Sequence, residues 1–216
     1  MLQNIILLHG FASSGNSTKA RFLRPKFEKY PNSSFHAFDF NPTPTDFEYM
    51  TVTGMINRLR QTIVDRQLEN VSLIGSSMGA LVGLNYAHRY GGIDRLLLMA
   101  PALSYFSGSR EEEVARTLDP NQTELVQHYA FEQKIPLRAE MDIDGLLYRV
   151  PVPPPVPITI IHGRFDDVVP IAHSQKYAAQ YPDHVNLIAV DADHPLHDQL
   201  DVMWQQVQQY LIGRGE

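Results

Sequence analysis

The sequence predicts an α/β protein: a mostly parallel six-stranded sheet with helices on both faces and one small lid insertion. Two patterns and a length predict it. Short apolar runs rich in Leu, Ile and Val alternate with helix-period stripes, as expected of strands buried on both faces. One long excursion, 104–157, interrupts that rhythm and exceeds an ordinary connection of a few residues. The chain has 216 residues, 44% of them hydrophobic, a size suited to a single domain spanning 1–216 that buries about 70% of its unfolded surface.

Taken in order, the expected strands are 4–8, 34–40, 71–75, 95–100, 158–161 and 185–190. A helix is expected over 18–30, kinked or restarted at Pro25, whose ring and missing N–H break the ladder. Met55, Ile56, Leu59 and Ile63 form a second apolar stripe, and Ala80, Leu81, Leu84 and Ala87 a third, with Gly83 allowing close approach to the sheet. The last helix carries Leu200, Met203, Val207 and Leu211, with Trp204 and Tyr210 beside them. Within the excursion, the acidic run 110–113 and Asp119-Pro120-Asn121 read as a lid, and the proline-rich 151–157 as a stiff spacer. As a ligand for an aromatic groove that spacer lacks the flanking charge such ligands use.

Composition removes several classes of function. With no Cys there is no thiolate nucleophile, disulfide frame or Cys-type metal site. A net charge of −6, from 18 Lys and Arg against 24 Asp and Glu, argues against nucleic acid as a partner. The basic residues Lys19, Arg21, Arg24 and Lys26 are interrupted by apolar ones and read as a solvated helix face. No apolar stretch reaches the ~18 residues that span a bilayer, and residues 1–10 lack a basic leader and a cleavage site, so a cytoplasmic protein without stable membrane insertion is expected.

Four local signals follow strands, where an open α/β sheet places its ligands. Gly75-Ser76-Ser77-Met78-Gly79 joins a strand to a helix in the pattern G-x-S-x-G, a sharp turn that holds the Ser77 hydroxyl clear of the backbone. His9-Gly10-Phe11-Ala12-Ser13-Ser14-Gly15 closes the first strand, and its Phe11 N–H, with that of Met78, would supply two donors for an oxyanion. In His162-Gly163-Arg164-Phe165-Asp166-Asp167, Asp166 is the candidate acid; Asp167 competes, and one of the two is expected to cap the helix after Pro170. In Asp191-Ala192-Asp193-His194-Pro195-Leu196-His197-Asp198, His194 is the candidate base, with His197 as fallback. Two His among carboxylates could also hold a metal, but Pro195 disfavours a helical turn between them, so no metal and no cofactor is expected. His9 and His162 precede glycines and read as loop braces, whereas His36, His88, His128, His173 and His184 read as surface residues or as residues with satisfied hydrogen bonds.

The chain order Ser77, Asp166, His194 is the nucleophile, acid, base order of the α/β-hydrolases, which the sequence resembles over nearly its whole length. Residues 8–14 with Ser17-Thr18-Lys19-Ala20, followed by 75–79, are similar to the compact bacterial YqiA/YcfP-like esterases, although Ala80 stands where those esterases carry a second glycine. The resemblance implies the α/β-hydrolase fold without its first two strands, in spatial order 4-3-5-6-7-8 by superfamily strand numbering. It implies a cofactor-free serine hydrolase acting on a small-molecule ester or thioester through an acyl-enzyme, with Ser77, Asp166 and His194 catalytic and Phe11 and Met78 in the oxyanion hole. Lipase, peptidase or carbon–carbon bond hydrolase activity is the alternative within the fold, and a binding protein on a hydrolase scaffold the alternative outside catalysis. Phe11, Met78, Tyr105 and Phe106 suggest an apolar acyl pocket.

Overall fold

A computed structural model describes residues 2–105, 115 and 117–212. Six parallel strands form the central sheet in the order β2-β1-β3-β4-β7-β8, comprising β1 (Gln3–Leu8), β2 (Ser33–Phe38), β3 (Val71–Ser76), β4 (Ile93–Met99), β7 (Ile158–Gly163) and β8 (Val185–Val190). In superfamily numbering this is the order 4-3-5-6-7-8, an α/β-hydrolase sheet. The remaining strands, β5 (Thr123–His128) and β6 (Gln133–Arg138), pair antiparallel as a separate hairpin inside the excursion.

Strand alternation divides the core in two. Ile6, Leu8, Val71, Leu73, Leu96, Leu98, Ile158 and Ile160 face one side, beneath α3 (Val52–Asp65), α4 (Met78–Tyr90) and α6 (Ala172–Gln180). Ile5, Leu7, Ile74, Leu97, Met99 and Ile161 face the other, covered by α1 (Thr18–Phe27) and α7 (Leu200–Gln206), which runs on as a π-helical turn, Val207–Ile212. Burial on both faces explains why these strands read as continuous apolar runs. α4 is enclosed over its first ten residues, Met78 through Ala87.

Three strand ends differ from the sequence expectation by two residues, and four others by one. β2 stops at Phe38 because the Phe40 N–H donates to His9 Nε2 (3.0 Å) instead of a sheet carbonyl. β4 begins two residues early, at Ile93, where a register shift beside Val71 and Ser72 keeps the pair aligned. β7 continues through His162 and Gly163, both paired with β8. α1 ends at Phe27, two residues beyond Pro25, so the proline sits inside its last turn. The excursion also holds α5 (Glu140–Gly145), and α2 (Pro44–Glu48) precedes α3; neither was expected. Phe106 and the run 110–113 lie outside the described residues.

The turn after β3 is set by its glycines. A Cβ on Gly79 would overlap the Leu8 carbonyl oxygen and lie 2.5 Å from that of His9, and one on Gly75 would lie 2.6 Å from the Ala80 Cα. Every obstacle is backbone held in place by the sheet or by α4, so it cannot swing aside. Gly79→Ala is expected to cost about 3 kcal/mol or more in urea denaturation, the upper range of overpacking penalties.

Candidate active site

Ser77 lies between β3 and α4 with φ 50° and ψ −112°, a left-handed backbone that costs a non-glycine residue about 1–3 kcal/mol. The surroundings hold it there: its N–H donates to the Met99 carbonyl (2.9 Å), and its own carbonyl accepts from Ala80 (3.0 Å) and Ala102 (3.2 Å). The hydroxyl is thereby presented at the carboxyl end of the sheet, over the first turn of α4.

Asp166 comes from the loop after β7, where its side chain is fully enclosed. Oδ1 accepts the N–H groups of Val168 (3.0 Å) and Val169 (2.7 Å). Oδ2 accepts from His194 Nδ1 (2.8 Å) and faces His162 Nε2 at 3.1 Å. On the far side of the imidazole, His194 Nε2 lies 3.1 Å from Ser77 Oγ. Ser77, Asp166 and His194, from three loops separated by up to 117 residues, thus form one continuous hydrogen-bonded line. Asp167 and His197 stay exposed and outside it. The expected carboxylate cap after Pro170 is absent: Ile171 occupies the N-cap of α6 and makes no side-chain cap bond, because Asp166 spends Oδ1 on its own loop.

His162 is the second imidazole on Asp166. Its Nε2–H points at the Val169 carbonyl (2.9 Å) as well as at Oδ2, while Nδ1 accepts from the Ser174 hydroxyl (2.8 Å). Burial pushes its pKa down against the opposing pull of Val169 and Asp166. A neutral His162 leaves the Asp166 charge available to His194.

The loop after β1 approaches Ser77 from the other side: a Cβ on Gly10 would touch the Ser77 Cβ at 3.5 Å. His9 accepts from Phe40 at Nε2 and donates Nδ1–H to the Gly10 carbonyl (2.8 Å), and Asp39 accepts the Gly15 N–H (3.0 Å). Ala12 adopts φ 50°, and its carbonyl accepts the Tyr129 N–H (3.1 Å) from the turn of the β5–β6 hairpin. The Phe11 ring packs on Phe47 with centroids 5.6 Å apart. Neither the Phe11 nor the Met78 N–H donates to a backbone carbonyl among the described residues.

Two residues near this centre escaped the sequence reading. His128, fully buried, packs between Phe47 and Phe131; its Nδ1 accepts the Phe131 N–H (3.3 Å) and its Nε2 has no partner among the described residues. Lys19, assigned from sequence to a solvated face, is only 8% exposed, and its Nζ donates to the Pro195 carbonyl at 2.7 Å. The clue was its spacing: Lys19 lies four residues before Leu23 and eight before Phe27, on the buried stripe of α1. Burial drags its pKa from 10.5 to about 8, partly offset by Asp193. The unfolded chain therefore binds the extra proton between pH 8 and 10.5, and stability rises with pH across that window. Relative to Lys19→Met, the wild type should gain on the order of 3 kcal/mol between pH 7.5 and pH 10.5 in urea titrations.

Among the described residues no group of three His, Asp or Glu could hold a metal ion, and no helix is long and apolar enough to cross a membrane. Two surface cavities, about 360 Å³ beside α2 and α3 and about 630 Å³ at the amino ends of the strands, are lined by neither Ser77 nor its partners.

The chain is similar in structure to Est1E from Butyrivibrio proteoclasticus (17% identity, TM-score 0.73, 98% of this chain and 88% of that one). It is also similar to alpha/beta hydrolase domain-containing protein 10 from mouse (19% identity, TM-score 0.69, 95% and 90%). A third likeness is to the monoacylglycerol lipase of Paleococcus ferrophilus (12% identity, TM-score 0.76, 97% and 94%). At such identities these likenesses establish the fold alone. No curated protein matches the sequence. Residues 4–211 match the family described as "Uncharacterised protein family (UPF0227)", so the chain belongs to UPF0227 and carries the α/β-hydrolase fold.

Proposed function

We propose that the protein is a serine hydrolase that cleaves a carboxylic ester or thioester through an acyl-enzyme. The observation that carries this reading is the line from Ser77 Oγ to His194 Nε2 (3.1 Å) and from His194 Nδ1 to Asp166 Oδ2 (2.8 Å), ending on a serine held at φ 50°. Ser77 Oγ attacks the acyl carbonyl as its proton passes to His194 Nε2, and Asp166 fixes the tautomer and balances the imidazolium. The unclaimed Phe11 and Met78 N–H groups receive the negative charge that develops on the carbonyl oxygen. His194 then returns the proton to the leaving group, and water repeats the sequence in reverse to free the acid.

Two of the structural neighbours carry names of ester chemistry and two others are named bromoperoxidases, so the choice of ester or thioester rests on the Ser77–His194–Asp166 line. Est1E is also known with ferulic acid bound, and another neighbour is a monoacylglycerol lipase. The excursion 104–157 serves as the lid of a single domain spanning 1–216, its hairpin resting on the Phe11 loop through the Tyr129–Ala12 bond. A series of p-nitrophenyl esters and matching thioesters of increasing acyl length tests the assignment. Turnover should depend on acyl length and stop after treatment with an alkyl fluorophosphonate; a series with no enzymatic turnover at any length would reject it.

A further inference from the structure

We propose that Lys19 is a positioning residue for this hydrolysis: by donating to the Pro195 carbonyl it straps the loop that carries His194 onto α1 and keeps the imidazole in line between Asp166 and Ser77. The inference rests on the triad reading above and adds to it a residue from a fourth segment of the chain.

The first argument is what else holds that loop. Between Ala192, whose carbonyl accepts from Phe165, and Leu196, whose carbonyl accepts from Gln199, no backbone-to-backbone hydrogen bond involves residues 193, 194 or 195 among the described residues. Leu196 adds a left-handed φ of 54°. The segment is fixed by three anchors: the His194 ring on Asp166 and Ser77, the buried Leu196 side chain, and the 2.7 Å bond from Lys19 Nζ to the residue directly after His194. Of these, only the Lys19 bond grips the main chain beside the base independently of the ring that must move its proton.

The second argument is energetic. Lys19 occupies the second position of α1, where the helix macrodipole disfavours a cation, and it is 8% exposed with no carboxylate within ion-pair distance among the described residues. A buried, unpaired ammonium costs stability, and an apolar side chain of similar length would fill the same stripe beside Ala20 and Leu23 more favourably. Burial lowers its proton affinity to a pKa of about 8, the signature of that cost. A side chain that opposes folding yet grips the base loop fits a functional role better than a structural one. α1 is a firm mount for it, since Ser17 caps the helix through the Ala20 N–H and the preceding turn is tied to Asp39 through Gly15.

The test compares wild type, Lys19→Met and Arg24→Met, the last removing the same charge from an exposed site on the same helix. Fluorophosphonate labelling of Ser77 is timed and kcat and KM are measured on a p-nitrophenyl ester. Lys19→Met should label and turn over about ten- to a hundredfold more slowly, the range for a catalytic group displaced by up to about 1 Å. Its KM should stay within about twofold and its urea midpoint should equal or exceed the wild-type value, while Arg24→Met matches wild type throughout. Lys19→Gln, one bond too short to reach the carbonyl as Lys19 does, repeats the comparison if the Met variant does not fold. Unchanged labelling in Lys19→Met, or a loss that follows a lowered urea midpoint, overturns the inference. A wild type whose Ser77 is not labelled defeats the triad reading itself, so the two failures are separable.

Discussion

Replacing Ser77 with alanine is expected to lower kcat on a p-nitrophenyl ester by about 10⁴- to 10⁶-fold while the fold is retained. The hydroxyl oxygen is the only heavy atom lost. The bonds that hold the turn are main-chain ones, from Ser77 N–H to Met99 and from Ala80 and Ala102 to the Ser77 carbonyl, and alanine keeps all three. Alanine also bears the same left-handed strain as serine, so the thermal midpoint should stay within a few degrees. Residual turnover would come from the Phe11 and Met78 N–H groups and from substrate binding. A rate within tenfold of wild type would remove Ser77 from the chemistry.

Asp166→Asn should lower kcat by about 10⁴-fold with little change in KM, and the reason lies in the hydrogen-bond count around the carboxylate. Oδ1 receives two backbone N–H groups, so the amide oxygen of the asparagine must take that position. The amide NH₂ is then left facing His194 Nδ1 and His162 Nε2, where the wild type offers an acceptor. His194 responds by moving its proton to Nε2, the nitrogen that should accept from Ser77, and the base is disabled without a change in shape. Asp167→Asn, next door but exposed and outside the line, should leave kcat within twofold. Equal losses in the two variants would mean that the acid has been misassigned.

What the sequence made legible follows from where the physics is local. The four inner strands of the sheet, β1, β3, β4 and β7, are buried on both faces, so each announces itself as an apolar run, and the Gly75–Gly79 turn is dictated by backbone clearances that only glycine meets. The β5–β6 hairpin gave no such signal, because β5 is exposed along most of its length, Pro136 interrupts β6, and the inward alternation comes down to Ile135 and Leu137 alone in β6. The ends of β2 and β7 were misjudged because tertiary partners decided them: His9 drew Phe40 off the ladder, and Ala189 and Val190 of β8 extended β7 through His162 and Gly163. The choice between Asp166 and Asp167 is a matter of which side chain turns inward, which two adjacent identical residues cannot reveal. Lys19 was visible as a spacing but not as a contact, since its partner lies 176 residues away.

The most direct test of the central claim is to react the wild-type protein with an alkyl fluorophosphonate and map the modified peptide by mass spectrometry. A Ser77 activated by His194 should carry one phosphonyl group, on the peptide containing residues 75–79, and hydrolysis should fall in step with its formation. Labelling elsewhere, or full hydrolytic activity with Ser77 fully modified, would contradict the account.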